Sequence, residues 1–140
     1  MKNGVLSIPM GTCEIYEFYH SFIWMENGIM FGKYKTGLNI DINVAKDIIS
    51  DRRKISNGIT MPFMLDVTGL LCVDAPSRKY MAGHEACEFL SAGAIVTNNK
   101  LLVFLGNAFI LLNSPLIPSR VFTIKIEAMN WLEPFKYHNN

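Results

Sequence analysis

Charge is what this chain has least of. Only 18% of its 140 residues are charged while 50% are hydrophobic, against roughly 25% charged in an average soluble domain. The formal net charge is +1, with basic residues scattered or paired with acids, so there is no electrostatic footprint for a phosphate backbone and nucleic acid is not an expected partner. Cysteine is scarce too. Cys13, Cys72 and Cys87 are odd in number and lack CxxC or other metal-ligand spacing, which argues against a disulfide framework or a zinc site. The first residues have no basic flank, apolar run and small-residue cleavage site, so no signal peptide is expected. No apolar run reaches the ~20 residues of a transmembrane helix. These absences point to a reducing cytoplasm, and the surplus of apolar residues points to contact with a partner or ligand.

Catalytic constellations are also missing. His20, His84 and His138 are the only histidines, and none sits in a recognisable nucleophile, base and orienter arrangement. His84 and Cys87 are three apart on an expected helix, but a lone cysteine on an apolar helical face is chiefly a small hydrophobe, and two ligands fall short of a metal site. Paired carboxylates, a phosphate-cradling glycine loop and a dinucleotide fingerprint do not occur, and Gly69 is a lone turn glycine. The sequence therefore predicts no enzyme, no metal and no cofactor.

What is present is a clear alternation of elements. "MKNGVLSIPMGT" reads as an irregular arm over residues 1–12, and residues 13–140 as a single domain. In "FIWMENGIMFGKY" two apolar runs flank Asn27-Gly28, the dipeptide that accepts the positive φ angles of a two-residue hairpin turn. Asp41 then caps a helix with Ile42, Ala45, Ile48, Ile49 and Ile55 at helical spacing, which Asn57-Gly58 stops. Its polar face carries Asp47, Asp51 and Arg53, and Arg52, Arg53 and Lys54 read as a solvated terminus whose cations complement the helix dipole. Ile59 to Asp66 is the nearly continuous apolar run of a doubly covered parallel strand, although Pro62 argues against its being central along its whole length. A helix follows from Asp74 to about Leu90, stopped by Gly93. "AGAIVT" is a strand, Asn98 or Asn99 caps a third helix "KLLVFLGNAFILLN", Arg120 to Thr123 is the last strand, and "IKIEAMNWLEPF" is a closing helix with Ala128, Trp131, Leu132 and Phe135 on one face. The order predicts an α/β layer with parallel strands joined by crossovers.

One junction stands out, "LDVTGLLCVDAPSRKY". Ligand and partner sites in open α/β sheets gather where strand ends meet helix N-termini. Here Asp74 can cap the helix, Pro76 occupies a first-turn position where its missing N–H costs little, and Ser77 and Arg78 share that turn. Asp74 is either a cap alone or part of a recognition surface.

At this junction the chain resembles the STAS superfamily of SpoIIAA-like fold, and in particular small STAS/SEC14-related proteins. The family signature runs Asp, apolar, Ser/Thr, any, apolar, any, apolar, apolar, Asp, Ser, Ser/Thr, Gly, apolar. Asp66, Val67, Thr68, Gly69, Leu70, Leu71, Cys72, Val73 and Asp74 answer it; Ala75, Pro76 and Ser77 then stand where the family has its serine, its phosphorylatable residue and its glycine. Pro76 has no hydroxyl, so the family's phosphorylation switch does not carry over at its usual position. "RVFTIKIEAMNWL" is similar to the family's last strand and helix, with Ala128, Trp131 and Leu132 matching. The resemblance implies an α/β, STAS-like mixed sheet with an N-terminal antiparallel hairpin and alternating helix and strand units. It also implies a non-catalytic cytoplasmic module that binds a protein partner, its own copy or a signalling protein, or alternatively carries a small apolar ligand or lipid.

The third helix bears on that choice. From Leu101 to Leu112 it is apolar all round except for Gly106 and Asn107, so no face can simply be turned to water. It is covered by a second copy or another partner, or it roofs a pocket, or it is buried by residues 1–12, or it rests on a membrane surface; the lack of a basic face disfavours the last. The candidate binding residues are thus Asp74, Ser77, Arg78, Phe104 and Phe109.

Overall fold

The structure, a computed structural model, describes residues 6–10 and 13–136. Strands β3 (Ser21–Glu26) and β4 (Ile29–Tyr34) form the expected hairpin, with Glu26 opposite Ile29. Asn27 at φ 53° and Gly28 at φ 78° make the turn, whose two positive φ angles match the right-handed twist of the strands it joins. Two further antiparallel strands lie outside it, β1 (Leu6–Met10) and β2 (Cys13–Glu17), with β2 pairing β3. The expected irregular arm over 1–12 is corrected to this extent. Pro9 interrupts the sequence pattern there, but β1 is an edge strand, where a proline need not donate to a ladder; the rest of that stretch lies outside the described residues.

Helix α1 (Ile42–Ser56) starts where Asp41 accepts a hydrogen bond from the Val44 amide at 2.9 Å and ends at Asn57, φ 50°, whose amide donates to the Arg53 carbonyl. Strand β6 (Met61–Asp66) is central, lying between β4 and β8 (Leu90–Val96), parallel to both. The sheet accommodates Pro62 by a local irregularity: pairing with β4 begins at Phe63, and the register with β8 shifts between Met61 and Phe63. Parallel strand β9 (Ser119–Phe122) closes a seven-stranded sheet of order β1-β2-β3-β4-β6-β8-β9. Two short strands, β5 (Leu38–Ile40) and β7 (Leu70–Val73), form a separate parallel pair. They are too short for period-two alternation to be read with any force.

The helix expected over 74–90 is two helices, α2 (Ala75–Met81) and α3 (His84–Cys87), separated at Ala82-Gly83. The chain leaves α3 through Phe89 at φ 66° and enters β8 at Leu90, with the Phe89 carbonyl accepting from the Met61 amide. Ladder formation with β6 thus overrides helix propensity, and Gly93 is a mid-strand residue rather than a helix stop. Helix α4 (Lys100–Asn113) is capped by Asn99, and α5 (Lys125–Leu132) follows β9.

Buried hydrophobic clusters lie on both faces of the sheet. On one face Ile29, Phe31, Met64, Ala94 and Phe122 pack with Ala128 and Leu132 of α5. On the other, Tyr34 and Val67 pack with Ile48 of α1 and Leu102 of α4. This mixed α/β architecture, an N-terminal antiparallel hairpin followed by alternating helix and strand units, is the expected one.

Gly69 turns out to be more than a turn former. Its carbonyl accepts from the Gly37 and Leu38 amides at 2.8 and 3.1 Å, and a Cβ built on it would lie 2.5 Å from the Lys35 carbonyl oxygen. Because backbone cannot swing aside as a side chain does, Gly69→Ala should cost on the order of 1–3 kcal/mol, the range of overpacking. Urea denaturation should show a lowered midpoint at unchanged slope.

Candidate functional site

The junction after β6 is a chain of local hydrogen bonds. Asp66 accepts from the Thr68 amide at 2.9 Å, closing an Asx turn, and Thr68 Oγ1 lies 3.1 Å from Thr97 Oγ1, tying the end of β6 to the end of β8. Asp74 then caps α2, accepting from the Ser77 amide at 2.9 Å. The Ser77 hydroxyl and amide, and after them the Arg78 charge, hold the Asp74 carboxyl below the ordinary carboxylate range. The hydroxyl faces the carboxylate without completing a hydrogen bond, so the amide is the bond that defines the cap. Ser77 itself is fully buried, out of reach of a modifying enzyme in the folded chain. The bond occupies the Ser77 amide, and Pro76 before it has no N–H to offer.

A cavity of about 180 Å³ lies between the sheet and the helices that cover it. Tyr34 and Phe63 lie on its sheet side, Ile48 and Met81 on α1 and α2, and Phe109 on α4. The lining residues are apolar apart from Ser21, Tyr34, Arg52, the half-buried Arg78 and Ser119. Burial raises the pKa of the Tyr34 phenol, so it stays protonated at neutral pH and is available as a donor. Gly32 and Gly93 line the sheet side. A Cβ at Gly32 would lie 2.8 Å from the Phe63 ring, whereas one at Gly93 would meet only Ile117 and Ser119 at ordinary contact distances.

Arg52 is the residue the sequence places wrongly. Expected in a solvated basic terminus, it is only 3% exposed and its Nη2 donates to the Ala86 carbonyl at 3.0 Å and the Glu88 carbonyl at 3.1 Å. Its neighbour Asp51, expected on the polar face, is fully buried as well. Helical phase accounts for Arg52, which lies on the flank of α1 that meets α3. Of the other cations of the trio, Arg53 pairs with Glu88 at the surface and Lys54 reaches the buried Asp51. They border a separate cleft in which Lys46 stands over the Tyr80 ring.

The five residues singled out in the sequence do not form one site. Asp74 and Phe104 are exposed, Ser77 is buried, and Arg78 and Phe109 both line the cavity. Arg78 is fixed by a hydrogen bond from Nη1 to the Val73 carbonyl at 2.6 Å. Ser21 and Arg52 were missed, and the only available signal was that Arg52 lies within the apolar phase of Ile48, Ile49 and Ile55. Cys72 is exposed and bonded to Asn39, Cys87 is buried against the Ala82 carbonyl, and His138 lies outside the described residues. No cluster of three or more potential metal ligands occurs among the described residues, and no helix among them is long and apolar enough to cross a membrane.

The backbone resembles that of a crystal structure from Shewanella loihica PV-4, an uncharacterised protein of the DUF3478 family with a SpoIIAA-like fold. The TM-score is 0.57 at 14% identity, with 91% of this chain and 98% of that one covered. At this identity the likeness establishes the fold class alone, a SpoIIAA-like α/β domain. By sequence, the chain belongs to the DUF7793 family, described as a domain of unknown function, whose model matches residues 23–136. No curated protein matches it in sequence.

The cap supplies a test with a defined pH dependence. Asp74→Ala should lower the thermal midpoint by roughly 2–6 °C at neutral pH through loss of the amide bond. The folded pKa of Asp74 is depressed, so its contribution is complete above the unfolded value of about 4 and is lost as pH falls through the folded one. The gap between wild type and variant, followed by circular dichroism, should therefore narrow below about pH 4.

Proposed function

We propose that this chain is a non-catalytic interaction module whose working contact is the outer face of α4 against α4 of a second copy. One observation carries the proposal: Leu101, Phe104, Leu105, Leu111 and Leu112 are 65%, 68%, 44%, 77% and 77% exposed on a single helix. With Ala108 they occupy spacings of 3, 1, 3, 3 and 1, which puts all six on one stripe of a 3.6-residue helix. Their exposed area is on the order of 700 Å², beyond the largest apolar patch of a typical monomer and near the ~800 Å² that each partner contributes to a standard interface.

A second copy is the occupant this stripe fits best. No charged residue lies between Lys100 and Arg120, so the face offers nothing to orient a charged partner or an anionic membrane, whereas a two-fold contact between identical apolar stripes is self-complementary. Leu116, in the loop after α4, is also exposed. The absence of a recognisable catalytic constellation in the sequence agrees with a role in binding rather than reaction.

Because Phe109 faces the cavity, substitution of the outer face must spare it. Light scattering coupled to gel filtration should give a dimer mass for the wild type at tens of micromolar and a monomer mass for the Phe104→Glu, Leu111→Glu double variant, with unchanged far-ultraviolet circular dichroism. A monomeric wild type, or a folded double variant that remains dimeric, would contradict the proposal.

A further inference from the structure

The cavity under the helices combines an apolar lining with an unsatisfied cation. Arg52 is 97% removed from solvent yet forms hydrogen bonds through Nη2 alone; its Nη1 has no partner. No ion pair joins it to a carboxylate among the described residues. Burial lowers its pKa to about 10, which still leaves the guanidinium charged at neutral pH. Ser21, 2% exposed and on the lining of the same cavity, has a hydroxyl that likewise lacks a partner. Buried charges and hydroxyls are ordinarily satisfied, so two buried, partnerless polar atoms on residues that line one apolar cavity require an explanation.

We infer that this cavity binds a single-chain carboxylate, a medium-chain fatty acid by chemical class, with its tail among the sheet and helix side chains and its head on Arg52 Nη1. Guanidinium recognises carboxylate through charge-assisted hydrogen bonds, and Ser21 Oγ and the protonated Tyr34 hydroxyl can donate to a second oxygen. The volume sets the tail. Apolar cavities of about 150 Å³ hold a benzene-sized ligand, so 180 Å³ accommodates roughly six to eight carbons. Arg78, the other arginine on the lining, already donates to Val73 and does not carry the head. This inference does not rest on the α4 contact, since the cavity and its polar groups belong to one chain.

The test uses the full-length protein and three eight-carbon probes in isothermal titration: octanoate, 1-octanol and octylamine. The wild type should bind octanoate at one site at least tenfold more tightly than octanol, and octylamine not at all. Arg52→Met should lower octanoate affinity at least tenfold while leaving octanol within twofold. Arg78→Met should leave both probes unchanged. Gly93→Leu, which fills the cavity from a strand position without a positive φ and leaves Arg52 intact, should abolish both. The three-probe order in the wild type needs no variant, so it decides even if Arg52→Met fails to fold. Absence of octanoate binding, equal affinity for octanoate and octanol, or a loss caused by Arg78→Met instead of Arg52→Met would overturn the assignment.

Discussion

The placement of Arg52 is the constraint on which the helical face of this fold turns. A guanidinium withdrawn from water loses several kcal/mol of hydration after relaxation, while each hydrogen bond it makes to a carbonyl returns about 1.5–3 kcal/mol. Two such bonds, to Ala86 and Glu88, roughly offset that loss and leave no surplus for the unbonded Nη1. They nonetheless fix α1 against α3, and with it the short turn through Phe89 that delivers the chain to β8. The arginine thus sits where three requirements meet: helix packing, entry into the central sheet and the lining of a largely apolar cavity.

That cavity exists because of residues small enough to leave space. Gly32 and Gly93 keep the sheet floor low between Phe63, Ile95 and Ile117, and α4 closes the volume with Phe109. The same helix shows its opposite stripe to solvent. A helix apolar all round is ordinarily buried on all sides; here one face meets the cavity and Leu102 the core, while Leu101, Phe104, Leu111 and Leu112 stand mostly exposed. The internal volume and the external stripe therefore share one structural element, with Phe109 and Phe104 as its two sides.

Much of this fold was legible because its signals are local. Asn27-Gly28, the Asp41 and Asn57 caps, the Asn99 cap and the Ala128–Leu132 face each depend on backbone geometry within a few residues, and each appears as expected. What was illegible depends on partners distant in sequence. The end of the helical run before Leu90 is imposed by the parallel ladder to β6, the β5 and β7 pair is too short to show alternation, and β1 is obscured by a proline that matters only away from an edge. The candidate site was less legible than the fold for the same reason. Asp74 was readable as a cap from its position before Pro76, whereas the burial of Arg52 depends on which flank of α1 receives α3, and a run of three basic residues hides that phase. Phe104 and Phe109, five residues apart, were placed together on a helix whose geometry sets them on different faces.

The central claim is that the buried guanidinium of Arg52 is the recognition group of an internal site. Its most direct test is the side-chain nitrogen spectrum of protein labelled with ¹⁵N-arginine, recorded during titration with octanoate. The account predicts that the Arg52 guanidinium resonances shift and become slower to exchange as octanoate is added, while those of Arg53 and Arg120 at the surface stay in place. Arg52 resonances that do not move at saturating octanoate would contradict it.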